Sequence, residues 1–114
     1  MKAQTNIEGR PIYRQGEKYA REMAGYILDV LDEGRDFLLS PTRRAIVQAI
    51  RKKLTEREKE CIALYYERQL NLNQIGAQLG ICQSTASRNV DRGEAKINRI
   101  LDFARTLLGE VKVT

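Results

Sequence analysis

The sequence predicts an all-α protein of about five helices joined by short loops, ending in a long helix. Three observations carry that expectation. The 114 residues are 42% hydrophobic and 31% charged, with two prolines and no tryptophan, so strands have little to build on. Apolar residues recur at spacings of three and four rather than two. The breaks between those runs carry helix-start and helix-stop chemistry. A chain of this length can bury roughly two-thirds of its unfolded surface in one self-sufficient core, so one compact domain is expected.

Residues 1–16 combine two glycines and a proline with scattered charge and read as a flexible N-terminal arm. Residues 17–54 read as a helical segment. Its first helix runs from Glu17 to about Leu31, where Tyr19, Met23, Tyr26, Ile27, Val30 and Leu31 make one stripe and Gly34 is the expected stop. That stripe has two readings, packing against its own domain or dimerising. Ser40 before Pro41 starts the next helix, because serine caps free amides and proline's fixed φ suits the first turn. Ile46, Ala49, Ile50 and Leu54 form its apolar face.

Residues 55–114 begin with a restart at Thr55. The run LTERE puts a threonine cap three residues before Glu58, the capping-box spacing, with Leu54 placed to staple the turn. Cys61, Ile62, Leu64 and Tyr65 supply the buried face of a helix expected to end near Gln69. Farther on, Ile97, Leu101, Ala104 and Leu108 lie four, three and four apart, the seam of a coiled-coil-like helix and a second surface on which two copies could meet.

Between these lies NLNQIGAQLGICQSTASRNV, residues 71–90. On a helix Ile75 and Leu79 share one face, and Gly76 lets a neighbour approach where any Cβ would obstruct it. Gly80 supplies the left-handed conformation that turns the chain, and Ile81 plugs the corner. A second helix from about Gln83 buries Ala86, Val90 and Ile97 and leaves Gln83, Ser84, Ser87, Arg88 and Asp91 opposite. Two helices crossing through a glycine turn are a helix-turn-helix, whose second helix enters the major groove of double-stranded DNA. Short hydrogen-bonding side chains near its start reach base edges without filling the groove. Arg88 suits guanine or a phosphate, Gln83 adenine or a phosphate, and Ser84 and Thr85 phosphates.

The stretch from Leu54 to Leu101 resembles the fourth domain of bacterial sigma factors, through LTERE, the LYY segment, IGAQLGI and the basic, apolar helix that follows. QSTASR also resembles the recognition helices of small sigma-like regulators of Gram-positive bacteria and their mobile elements. The resemblance implies that Gln83, Ser84, Thr85, Ser87, Arg88 and Arg92 face DNA, with Asn71 and Asn73 near phosphates at the first helix, and that RNA polymerase is a further partner. Cys82 stands where the family commonly places a capping serine, Asp91 adds a negative charge to the DNA-facing side, and Gly93 marks an expected bend in the long helix. Nothing in the sequence resembles the promoter-melting sigma domain, so a small regulator is expected rather than a complete sigma factor. A helical protein-interaction module, such as a sigma-binding adaptor, is the alternative.

Composition excludes most other classes. Residues 1–36 carry a net charge of −1, residues 37–70 of +4 and residues 71–114 of +2, so the basic excess lies in the last two-thirds of the chain, which suits a polyanionic partner but is as common on a merely soluble surface. Arg51, Lys52 and Lys53 are expected on a solvated helix face, and Tyr65 and Tyr66 as packing residues, one of them half exposed. The chain has no histidine, the commonest general base, and Glu56, Glu58, Glu60, Asp29, Asp32 and Glu33 fall near helix ends, where solvated charges complement the dipole. No active site, metal or cofactor is expected. Cys61 and Cys82 form no CxxC pair and read as two buried, reduced thiols, and with no apolar run of membrane-spanning length the protein is expected in the cytoplasm.

Overall fold

The structure is a computed structural model and describes residues 16–109; of the arm predicted at 1–16, residues 1–15 lie outside the described set, as do the side chains of residues 16–20 and residues 110–114, and Gly16 opens the first helix rather than ending the arm. Five α-helices follow one another: α1 (Gly16–Leu31), α2 (Pro41–Lys53), α3 (Glu56–Ile62), α4 (Leu72–Leu79) and α5 (Gln83–Ala104). A 3-10 turn (Glu33–Leu38) joins α1 to α2, and π turns extend α3 through Ala63–Glu67 and α5 through Arg105–Gly109. The all-α architecture with a long last helix is as the spacing predicts.

Local capping chemistry accounts for most boundaries. Ser40 Oγ accepts from the Arg43 amide at 3.1 Å, with Pro41 at the first helical position. Thr55 and Glu58 close the capping box ahead of α3 in both directions, at 3.1 and 2.9 Å. Asn71 and Gln74 close a second one ahead of α4, both bonds at 2.9 Å. Gly34 is not the stop of α1, which ends at Leu31; the glycine falls inside the 3-10 turn, without a positive φ. The chain leaves the α3 extension at Arg68 and reverses at Gln69, a non-glycine residue at φ 57°.

Two clusters of buried side chains hold the helices together. The first unites Met23, Ile27 and Val30 of α1 with Val47 and Ile50 of α2, Leu54, Ile62 of α3, and Ile97 and Leu101 of α5. The α1 stripe is therefore used within the chain. On α2 the core face is Val47 and Ile50 with half-buried Ile46; Ala49 is exposed, because the helix turns it away from α1. Leu54 is buried in this cluster rather than over Lys59, the polar residue one turn into α3. The second cluster joins Cys61 and Leu64 to Leu72 and Ile75 of α4 and to Ala86 and Val90 of α5. Helix α5 is common to both.

That sharing explains Gly93. A Cβ there would overlap Ile62 Cδ1 and come within 3.7 Å of Leu54 Cδ2, so the glycine brings α5 against α3. The helix runs through it without interruption over its 22 residues. The predicted coiled-coil seam is divided. Ile97 and Leu101 are buried within the chain, Ala104 is half-buried, and Leu108 is exposed beyond the end of α5.

Candidate nucleic-acid interface

Helix α4 ends on Gly80, whose φ of 73° and ψ of 33° place it in the left-handed region that glycine occupies without a Cβ penalty. The Ile81 amide bonds back to the Gly76 carbonyl at 2.9 Å. A Cβ on Gly76 would lie 2.5 Å from the Ile81 carbonyl oxygen, so the glycine is what allows the turn to fold onto α4. Half-buried Ile81 fills the corner against the second cluster. These features set the crossing of α4 and α5.

Along the first turns of α5, Ala86 and Val90 are fully buried while Gln83, Ser84, Arg88, Asp91 and Arg92 are exposed and Thr85 and Ser87 half-buried. At 3.6 residues per turn, Ser84, Arg88 and Asp91 share one line, flanked by Gln83 and Ser87 on one side and by Thr85 and Arg92 on the other. The six predicted α5 positions are thus brought together on a single face. Asn73 is exposed on the first turn of α4 and Asn71 is its half-buried N-cap, at the end of the helix about 12 Å from the turn. The Asn71 side-chain oxygen is committed to the Gln74 amide, which leaves its NH2 group as the available donor. The Asn89 side chain bonds to the Thr85 carbonyl at 2.9 Å and so turns back along the helix.

Cys82 departs from expectation. It is exposed, at the N-cap of α5, because the turn that packs half-buried Ile81 against the second cluster carries the next side chain outward. Its Sγ lies 3.3 Å from Ser84 Oγ and 3.2 Å from Thr85 Oγ1. Hydrogen bonds from these two hydroxyls to the sulfur hold the thiol at about 6, well below its ordinary value. Cys61 is buried as expected, and desolvation pushes its thiol up.

The charges also sort differently from a uniformly solvated surface. Arg51 is not on a solvated face: its guanidinium forks onto Asp36 at 2.6 and 2.8 Å and donates to the Asp29 and Val30 carbonyls at 2.9 and 2.8 Å. Its hydrogen bonds hold the Asp36 carboxyl below the usual range. Lys52 and Lys53 are exposed, as expected. Glu58 is 3% exposed rather than solvated, held between the Thr55 amide and Lys96 Nζ at 2.8 Å. These partners outweigh burial, and its pKa is lowered.

Sequence reasoning missed a further buried carboxylate, Glu94, which accepts from the Tyr66 hydroxyl. The signal was present. Position 94 continues the stripe of Ala86, Val90, Ile97 and Leu101, where a carboxylate is out of place. Tyr65 and Tyr66 are both half-buried, edge to face with centroids 5.2 Å apart. Among the described residues no group of histidine, cysteine or carboxylate side chains could hold a metal, and no helix is long and apolar enough to cross a membrane.

A pair of helices set by a left-handed glycine, with a polar face at the start of the second, defines a helix-turn-helix of the DNA-binding class. Residues 52–98 match the family model for sigma-70, region 4, a match that covers the helix-turn-helix and the helix before it. The chain is also similar to the RNA polymerase sigma factor FliA of Pseudomonas aeruginosa, 48% identical over 60 residues. That match covers 52% of this chain and 24% of the relative, so the chain spans about a quarter of its length. No solved structure matches the chain.

Proposed function

We propose that the protein is a sequence-specific, double-stranded-DNA-binding regulator of transcription that places the start of α5 in the major groove. One observation carries this reading: a polar face of exposed Gln83, Ser84, Arg88 and Arg92 with half-buried Ser87, on a helix whose other face is buried against α4 and α3. Arg88 is the side chain for a guanine edge or a phosphate, and Gln83 for adenine. Ser84, Thr85 and the first turn of α4, with Asn71 and Asn73, serve phosphates. The region 4 match and the similarity to a sigma factor support it.

A second surface favours contact with RNA polymerase as well. Between α2 and the end of α5, Ile46, Ala49, Ile100, Phe103, Leu107 and Leu108 line an open apolar groove of about 490 Å³. Phe103, Leu107 and Leu108 are each more than half exposed, more apolar surface than a solvated helix end needs. A second copy of the chain is another occupant for this groove; Met23, Ile27 and Val30 of the α1 stripe are buried within the chain.

Selection of bound fragments from sheared genomic DNA by the purified protein, without polymerase, tests the first reading. A recurrent site bound about 1,000-fold better than scrambled DNA is expected, and a palindromic one reports two copies. Weak, salt-sensitive, sequence-blind binding would overturn autonomous recognition. Co-purification with polymerase, lost on Phe103→Asp, is the expected mark of the second. Full function with no DNA preference and an indifferent Arg88 would identify an adaptor instead.

A further inference from the structure

Glu94 poses a question that DNA contact does not answer. It is 1% exposed, on the side of α5 away from Arg88, and accepts a hydrogen bond from the Tyr66 hydroxyl on the π turn after α3. Burying a carboxylate is unfavourable, and a leucine there would complete the apolar stripe without that cost. What a leucine lacks is direction. Apolar contacts tolerate sliding and rotation, whereas a hydrogen bond holds one distance and angle.

Two neighbouring contacts fix other degrees of freedom of the same helix. Gly93 brings α5 so close to α3 that a Cβ would overlap Ile62 Cδ1, which sets their separation. Lys96 Nζ donates to Glu58 Oε1 at 2.8 Å and to the Lys53 carbonyl at 3.0 Å, which ties the next turn to the start of α3 and the end of α2. The Tyr66–Glu94 bond adds a third constraint, a directional one from the end of the α3 extension, on rotation of α5 about its own axis. The demand is tight. On a helix about 6 Å in radius with its side chains, a rotation of about 10° moves a side-chain tip by about 1 Å, twice the roughly 0.5 Å range of good hydrogen-bond lengths.

We propose that Tyr66 and Glu94 are positioning residues: their buried hydrogen bond sets the rotation of α5, and with it the angle at which Gln83, Ser84 and Arg88 meet base edges. Neither residue touches DNA. The inference rests on the DNA-reading function proposed above, but its structural half stands apart from it.

Two readouts on the full chain test it. In Tyr66→Phe, amide hydrogen exchange over residues 83–92 is expected to rise at least about tenfold while amides of α1 and α2 keep their protection. Preference for the selected site over scrambled DNA should fall about tenfold, with non-specific affinity and its salt slope unchanged, because phosphate contacts tolerate rotation that base contacts do not. Glu94→Gln, with Tyr66 in place, keeps an acceptor for the hydroxyl and should leave both readouts at wild-type values. The double variant Tyr66→Phe with Glu94→Met removes the buried carboxyl together with the Tyr66 hydroxyl; it should fold and show the same loss of preference. Exchange that rises uniformly in α1, α2 and α5, or a Tyr66→Phe protein with wild-type preference, would overturn the proposal. If wild-type protein prefers no site, the DNA-reading function fails, and the exchange pattern still decides whether the bond holds α5.

Discussion

Arg43, Arg44 and Arg51 on α2 and Arg88 and Arg92 on α5 are the same side chain put to opposite uses. On α2 each is consumed within the fold. Arg43 bonds to Asp29 at 2.6 Å and lies 3.9 Å over the Tyr26 ring, Arg44 donates to the Asp36 and Leu39 carbonyls, and Arg51 forks onto Asp36. On α5 both arginines are exposed beside hydrogen-bonding side chains, on the face opposite the core. The basic excess of residues 37–70, larger than that of the motif itself, is thus partly cancelled by acids from the end of α1 and the 3-10 turn. Net charge in a sequence locates a polyanion-binding surface only after its internal partners have been subtracted.

The largest effect is expected in the core. Ile27 is buried in the α1 layer, far in sequence from the DNA-facing residues, yet shares a cluster with Ile97 of α5. Ile27→Ala is expected to lower unfolding free energy by about 3 kcal/mol, read by urea denaturation. A loss below about 1 kcal/mol would mean that α1 is not part of the core that supports α5. Next is the turn itself. Gly76→Val puts side-chain atoms where even a Cβ would lie 2.5 Å from the Ile81 carbonyl, backbone that cannot swing aside. A cost of about 2 kcal/mol or more is expected, with exchange protection lost first across α4 and the start of α5.

Arg88→Ala is expected to weaken binding to the preferred site by about 1–3 kcal/mol with thermal stability unchanged. Arg51→Ala should do the reverse, lowering the melting temperature by removing the fork onto Asp36 while leaving site preference intact among the folded molecules. Crossed effects, with Arg51 governing binding and Arg88 stability, would invert the assignment of the two helices.

The smallest effect concerns pH. The Cys82 thiol, at about 6 in the folded chain against an ordinary 9.0, contributes stability that is complete above about pH 9 and lost as pH falls through 6. The melting-temperature difference between wild type and Cys82→Ala should therefore be largest near pH 9 and vanish near pH 5. Alkylation of Cys82 should be half-maximal in rate near pH 6, with buried Cys61 unreacted in the native protein.

What the sequence discloses is what depends on residues a few positions apart. Ser40 and Pro41, the Thr55–Glu58 box, the left-handed Gly80 and the alternation of buried Ala86 and Val90 with exposed Ser84 and Arg88 all follow from local chemistry, and the six α5 positions fall on one face as read. What it conceals depends on partners far along the chain. Gly93 reads as a bend until Ile62 is placed against it, and Arg51 as a solvated cation until Asp36 reaches it; Glu94 stands in the apolar stripe with no visible partner until Tyr66 is found beside it. Cys82 was misread because burial at a turn is decided by which of two adjacent residues fills the corner, and Ile81 does.

The most direct test of the account is a binding titration of wild type and the double variant Gln83→Ala with Arg88→Ala against the selected fragment and its scrambled counterpart, at several salt concentrations and without polymerase. The account predicts that wild type separates the two DNAs by about 1,000-fold and that the variant, equally stable, loses at least about tenfold of that separation. A variant that discriminates as well as wild type would contradict it, because the exposed face at the start of α5 would not be what reads the DNA.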